Sequence, residues 1–229
     1  MQPYFFPYIG YFQLLNAVDE FIIYDNIKYT KRGWINRNRI LVNGKDEFIS
    51  LPLKKDSDYL NVNERYLSDT WEKDRIKLLN KIKEAYKKAP YFNETYLLIE
   101  KCLIYNEQNL FNFILNSIRL IKEFLGINTK ITISSDIEID HNLKAEEKVM
   151  AICSAKGATH YINPIGGVEL YNKQIFTSKN LKLNFLKTTP FTYNQFQNEF
   201  IPFLSIIDVI MFNKKEVTIN SINKNYSLI

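Results

Sequence analysis

The order of apolar and polar residues divides the chain into three stretches. In the first, GYFQLLNAVDE (residues 10–20) reads as a short helix, and FIIY (21–24) is an unbroken apolar run that predicts a buried strand ending at Asp25. A basic, polar stretch follows, NIKYTKRGWINRNR. Next, ILVNGKDEFISLPL sets two apolar runs around Asn43-Gly44, a dipeptide suited to the positive φ of a tight turn, which predicts a β-hairpin.

The middle stretch is helical. Over 71–88, Ile76, Leu79, Ile82 and Tyr86 recur at helical spacing and Pro90 marks the stop. Its basic residues, interspersed with Glu72, Asp74 and Glu84, predict a solvated face, with a phosphate-facing surface as the alternative. A second helix is expected over 92–105. A third carries Leu110, Phe113, Ile114, Ser117, Ile118, Ile121, Phe124 and Leu125 on one face, and Gly126 stands where a left-handed terminating residue is wanted.

In the last stretch, KITI (130–133) predicts a strand running into Ser134-Ser135, and 144–156 a helix. HYIN (160–163) is a short strand followed by Pro164 and Gly166-Gly167. LKLNF (181–185) alternates with period two, and FLSIIDVIMF (203–212) is apolar nearly all round, which predicts a buried helix. Strands alternating with helices predict an α/β protein: a Rossmann-like, mainly parallel sheet with a β-hairpin and a helical insertion over about 70–126, in one domain of 229 residues. In such sheets ligands gather beyond the carboxyl ends of strands. Asp25, Ser134-Ser135 and the segment Asn163 to Gly167 all fall at predicted strand ends.

Composition narrows the function classes. Hydrophobic residues at 46% and charged residues at 24% are ordinary for a soluble globular protein. A net charge of +5 suits phosphate-bearing ligands, and with no RNA-binding motif present it argues against nucleic acid. Two cysteines, Cys102 and Cys153, are too few for a disulfide framework and point to a reducing, cytoplasmic setting. With His141 and His160 the only histidines, a Cys/His metal cluster is not expected. The N-terminus lacks a secretory pattern, and the longest apolar run, IPFLSIIDVIMF, is about half of the roughly 20 residues a spanning helix needs, so no membrane insertion is expected.

Two segments hold most of the candidate chemistry. In KRGWINRNR (31–39), an extended backbone would set Arg37 and Arg39 on one face and Asn36 and Asn38 on the other. Forked guanidinium donors suit a diphosphate or carboxylate, Trp34 could stack on a base or sugar, and Lys31 and Arg32 add charge. The alternative is an edge strand carrying solvated charges over a core Trp34. In THYINPIGGVELY (159–171), Gly166-Gly167 implies close backbone approach to a ligand or a special turn, and Glu169 and Tyr171 could orient a sugar hydroxyl or an amine. Ser134 and Ser135 read first as helix caps and second as phosphate contacts. His160 reads first as a structural histidine and second as a general acid or base. Asp208, flanked by apolar residues, needs Arg, Tyr or backbone donors; a structural hydrogen bond comes first and a catalytic base second.

The segments MQPYFFPYIGYFQLLNAVDEF, KRGWINRNRI, SLPL, ISS, GATHYINPIGG with the following ELY, and LSIIDVIMFN together resemble the WbqC-like family of bacterial proteins, over essentially the whole chain. Family members usually carry a few apolar residues ahead of the Met-Gln-Pro, so the resemblance implies either a first strand cut short here or a start site placed late. It also implies that QPYFFPYIGY is the loop leaving that strand, with Gln2, Tyr4, Tyr8 and Gly10 at the ligand crevice. The function implied is in surface-polysaccharide biosynthesis of the O-antigen type: acylation or aminoacylation of the amino group of a nucleotide-linked amino sugar. Under that reading Arg37 and Arg39 hold the diphosphate, Trp34 or an N-terminal tyrosine stacks on base or sugar, and Asn163, Gly166, Gly167 and Glu169 shape the pocket. His160, Glu169 or Asp208 accepts the amine proton, and the acyl donor and any cofactor stay unassigned. Around Gly10 the chain also resembles HIGH-motif nucleotidyltransferases, although both motif histidines are missing. That alternative implies ATP with Mg²⁺ near Asp25. A non-catalytic sugar-nucleotide-binding partner protein is the third reading.

Overall fold

The computed structural model describes residues 1–229. A short helix α1 (Ile9–Asn16) leads to β1 (Glu20–Ile23), and the hairpin β2 (Arg37–Val42) and β3 (Lys45–Ser50) follows. Three helices fill the middle: α2 (Trp71–Tyr86), α3 (Phe92–Leu103) and α4 (Leu110–Phe124). Then come β4 (Lys130–Ile133), α5 (Ala145–Ala155), β5 (His160–Pro164), α6 (Lys173–Ser178) and β6 (Lys182–Thr188). The buried α7 (Ile206–Phe212), α8 (Lys215–Lys224) and β7 (Tyr226–Leu228) close the chain.

The local rules behind these elements are visible. The hairpin turns on Asn43 and Gly44, both at positive φ (50° and 77°), as a two-residue turn requires. Asn109 caps α4 by accepting from the Asn112 amide. Gly126 ends α4 at φ 68°, and the Ile127 amide reaches back to the Lys122 carbonyl. In α2 the buried stripe is Trp71, Leu78, Ile82 and Tyr86, while Ile76 is exposed. Trp71 packs edge-on against Phe113 of α4, and this contact turns the helix away from the Ile76 face. Within α2, Arg75 pairs with Glu72, Lys77 with Asp74 and Lys81 with Glu47, and Lys87 just beyond it pairs with Glu84.

The architecture is mixed α/β, but the strands do not join into the large Rossmann-like sheet the sequence predicts. β1 and β4 form a parallel pair, β2 and β3 an antiparallel hairpin, and β5, β6 and β7 a three-stranded sheet, parallel at β5–β6 and antiparallel at β6–β7. The break lies between β1 and β5. There only Met1 pairs with β1: its amine donates to the Ile22 carbonyl at 2.6 Å, and the Tyr24 amide donates to the Met1 carbonyl at 2.8 Å. One residue is one rung of a parallel ladder. Beside it a cavity of about 480 Å³ runs between β1 and β5, walled by Leu14 and Val18 on one side and by Val149, Ile152 and Cys153 of α5 on the other.

Two consequences bear on the site. The parallel register sets Ile23 beside Ile133, so Tyr24-Asp25 and Ser134-Ser135 emerge side by side. The N-terminal loop is mostly core: Phe5 and Phe6 are fully buried, while Gln2, Tyr4 and Tyr8 stay half-buried.

Candidate functional site

Beyond the carboxyl ends of β1 and β4, Asp25 is the centre of a hydrogen-bonded cluster. One carboxylate oxygen accepts from Ser134 Oγ (2.9 Å) and the Ser135 amide (3.1 Å); the other accepts from Asn63 Nδ2 (2.8 Å). Asn63 reaches this position because its own amide donates to the Asp25 carbonyl, laying the 61–63 segment along the outgoing β1 chain. Burial by itself would raise the Asp25 carboxyl, but donation from Ser135 and Ser134 outweighs it and holds the group below its ordinary value. Asp25 is therefore ionised at neutral pH and held rigidly.

The same cluster extends through Asn26. Its Oδ1 lies 2.8 Å from Ser134 Oγ and accepts from Lys148 Nζ at 3.3 Å, and its Nδ2 is 3.0 Å from His141 Nδ1. Lys148, in the first turns of α5, is nine-tenths buried, and its ammonium stands 5.7 Å from the centre of the Tyr24 ring. No carboxylate lies within ion-pairing distance of it. Burial pulls the amine below the usual lysine value, and the Asp25 charge opposes that shift. Tyr24 also lines the β1–β5 cavity together with Tyr161 and Asn163. It thus links the Asp25 cluster to the end of β5.

At that end, Asn163 Oδ1 accepts from Tyr161 OH at 3.1 Å, and Tyr171 packs edge-on against the Tyr161 ring. Gly167 leaves room for this arrangement: a Cβ there would come 2.0 Å from Asn163 Nδ2, and the Asn163 side chain would have to turn aside. Gly166 has open space around it. At the N-terminal loop, a Cβ on Gly10 would lie 2.4 Å from the Tyr8 ring and 2.5 Å from Thr188 Oγ1, so glycine lets Tyr8 fold against the end of β6.

The basic hairpin is organised differently. Arg37 and Arg39 do share a face, with Asn38 on the other. Arg37, however, donates to the carbonyls of Gly33 (3.0 Å) and Arg32 (2.6 Å) and covers the Phe48 ring. Arg39 pairs with Asp46 at 2.8 Å and covers Trp34, which stacks on Phe48. Lys31 pairs with Asp58 on the surface. Asn36 accepts from Tyr29 OH and donates to the Leu51 carbonyl, and Asn38 donates to the carbonyls of Phe5 and Phe6. No hydrogen bond joins this ladder to the Asp25 cluster.

The three proton-acceptor candidates lie apart from one another. His160 is exposed at the amino end of β5, the opposite end from Asn163, and Glu169 is exposed in the turn after β5. Asp208 is fully buried in α7 and accepts from Tyr86 OH (2.8 Å), Tyr193 OH (2.6 Å) and Gln195 Nε2 (2.7 Å). Sequence reasoning brings Asp25, Ser134 and Ser135 to the site but misses Tyr24, Asn26, Asn63 and Lys148. Tyr24 and Asn26 flank Asp25 at the same strand end, a signal present in the sequence.

The arrangement defines a mixed α/β protein whose polar side chains converge beyond the carboxyl ends of parallel strands. Within that class, the chain belongs to the WbqC-like protein family, whose profile matches residues 2–219. It is 30% identical over 219 residues to a protein of Mycobacterium tuberculosis (strain ATCC 25618 / H37Rv) described as "Uncharacterized protein Rv1507c", covering 93% of this chain and 91% of that one. No solved structure matches it. No helix is long and apolar enough to cross a membrane.

Proposed function

We propose that the protein acts in the biosynthesis of bacterial surface polysaccharide and forms an amide on the amino group of a nucleotide-linked sugar. The observation that supports this reading is the cluster at Asp25: an ionised carboxylate, the ammonium of a largely buried lysine, and hydroxyl and amide groups set together at the ends of two parallel strands. A nucleotide-linked amino sugar presents complementary groups, namely phosphate oxygens, hydroxyl donors and an amine. In the reaction the sugar nitrogen bonds to the acyl carbon of a second substrate, the donor's leaving group departs with the bonding electrons, and the amine gives up a proton. The protein's part is to hold amine and acyl carbon together and to accept that proton. Glu169, exposed in the turn after the carboxyl end of β5, is the acceptor this reading favours; His160 stands at the opposite end of that strand, and Asp208 is enclosed by its three donors.

Adenylation with ATP and Mg²⁺ has less support. Both oxygens of Asp25, the carboxylate that reading needs for Mg²⁺, already accept hydrogen bonds from Ser134, Ser135 and Asn63.

The test is calorimetric titration and thermal unfolding with UDP- and dTDP-linked amino sugars, and with ATP and Mg²⁺. A bound ligand at one hundred times its dissociation constant adds about 2.7 kcal/mol to stability. The expected result is a shift with an amino-sugar nucleotide that Ser134→Ala weakens. A response to ATP and Mg²⁺ alone would overturn the proposal in favour of adenylation.

A further inference from the structure

Lys148 is a cation in an unusual position. It is nine-tenths buried, yet its contacts are one amide oxygen at 3.3 Å and the face of a tyrosine ring. Buried charges are ordinarily paired, because removing an ammonium from water without a counter-charge is costly. A second group nearby is also incomplete. Asn63 donates its Nδ2 to Asp25, which fixes the orientation of the amide, and leaves its buried Oδ1 without any donor. A buried acceptor of this kind is rare in folded proteins. The two groups flank Asp25 from different elements, Asn63 from the 61–63 turn and Lys148 from α5.

We infer that Lys148 receives the diphosphate of the ligand. This deepens the proposed function and rests on it for the identity of the ligand. Ser135 and Asn26, beside Asp25 and Lys148, complete the polar lining. Asp25 acts as a positioning residue: its three donors fix the serines and Asn63, and its negative charge favours the protonated form of Lys148 through space. The arginines of the hairpin are already engaged with backbone carbonyls and with Asp46, so the diphosphate is assigned away from them.

The experiment compares Lys148→Met, Lys148→Arg, Asn63→Asp and Arg37→Ala, using inorganic pyrophosphate and UDP as probes in titration calorimetry. Wild type should bind both, and Lys148→Met should weaken both about ten- to a hundredfold, the range expected for one hydrogen bond to a charged group. Without ligand, Lys148→Met should melt at or above the wild-type temperature, because it removes a buried unpaired charge. A merely structural lysine would instead lower the melting temperature. Asn63→Asp, which sets a second carboxylate beside Asp25, should also weaken pyrophosphate binding. Lys148→Arg should recover part of the affinity, and Arg37→Ala should match wild type. Lys148→Met binding pyrophosphate as tightly as wild type, or no binding of pyrophosphate and UDP by wild type, would overturn the assignment. Pyrophosphate bound through Lys148 while no amino-sugar nucleotide binds would uphold the anion site and defeat the wider proposal. An amino-sugar nucleotide bound equally by Lys148→Met would do the reverse.

Discussion

Asp208 offers a sharp test of whether a buried carboxylate serves the fold or the chemistry. It is fully buried in α7, and its carboxylate accepts from three donors on two other segments: Tyr86 from α2, and Tyr193 and Gln195 from the segment before α7. Tyr86 OH also accepts from the Leu41 amide of the hairpin at 2.9 Å, so its proton is committed to Asp208. Removing the carboxylate in Asp208→Ala strands three donors and opens a small cavity. Each stranded donor costs about 1–3 kcal/mol, with partial relief from rearrangement, and breaking a buried charged network typically costs about 3–5 kcal/mol in all. The expected loss for Asp208→Ala is therefore about 3–5 kcal/mol.

Asp208→Asn should behave differently. Its oxygen can still accept from Tyr193 and Gln195, and its amide can donate to the Tyr86 oxygen if the phenol rotates, so the loss should stay within about 1–2 kcal/mol. The pH dependence separates the two further. Burial raises the Asp208 carboxyl above its ordinary value of 3.8, against donation from Tyr193, Tyr86 and Gln195. A raised carboxyl stabilises the fold fully below that ordinary value and loses the contribution as pH rises through the raised one. Wild type should therefore lose stability relative to Asp208→Asn as pH rises from about 4 toward neutrality. Urea unfolding of the three proteins between pH 4 and 7 measures this directly. A structural role also requires Asp208→Asn to bind ligand as wild type does. A loss below about 1 kcal/mol in Asp208→Ala, or abolished turnover in a stable Asp208→Asn, would refute the reasoning.

Two further predictions concern the strand ends. Gly167→Ala should turn the Asn163 side chain aside and weaken its bond to Tyr161 OH, at a cost of about 1 kcal/mol, whereas Gly166→Ala should stay within about 0.5 kcal/mol, because only the first meets a neighbour; thermal unfolding of the pair checks it. Ser134→Ala removes one donor from Asp25, so it should cost about 1–2 kcal/mol at pH 7. Since the Asp25 carboxyl is held below its ordinary 3.8, its contribution is present above that value and lost as pH falls through the depressed one; Ser134→Ala should therefore move the acid-unfolding midpoint to higher pH.

Much of the fold was legible in the order of apolar residues, because α4, β1, β4 and β6 are defined by their own periodicity. What failed depends on partners. The α2 face could be drawn through Ile76 or through Trp71 and Leu78, and only the Trp71–Phe113 contact decides it. The division into small sheets reflects pairing across the β1–β5 gap, which no single strand encodes. The strand β7 is three residues long and largely exposed, and it exists through its bonds to β6. At the site, Asp25 and Ser134 could be read from their places at strand ends. Lys148 and Asn63 could not, since in sequence each looks like an ordinary polar residue of a helix or turn.

The densest motifs in the sequence converge on a backbone rather than on a side chain. Phe6 adopts φ 43°, a left-handed conformation that costs a bulky residue about 1–2 kcal/mol. It persists because its carbonyl accepts from Asn38 Nδ2 at 2.8 Å and from Ser205 Oγ at 2.7 Å, while the Ile206 amide donates to Pro7 and the Ser205 amide to Arg39. Asn38 is the inward residue of NRNR, and Ser205 opens the SIIDV run that also holds Asp208. These two motifs thus fix the path of MQPYFFPY between the hairpin and α7. Met1 lies at one end of that path, bonded along β1, and Tyr8 at the other, folded against β6. The loop therefore spans the gap between the two parallel pairs, from the strand that carries Asp25 to the sheet that carries Asn163. Arginine and asparagine in NRNR divide the labour by parity: the outward arginines cover the hairpin's aromatic face, and the inward Asn38 holds the loop whose Met1 borders the β1–β5 cavity.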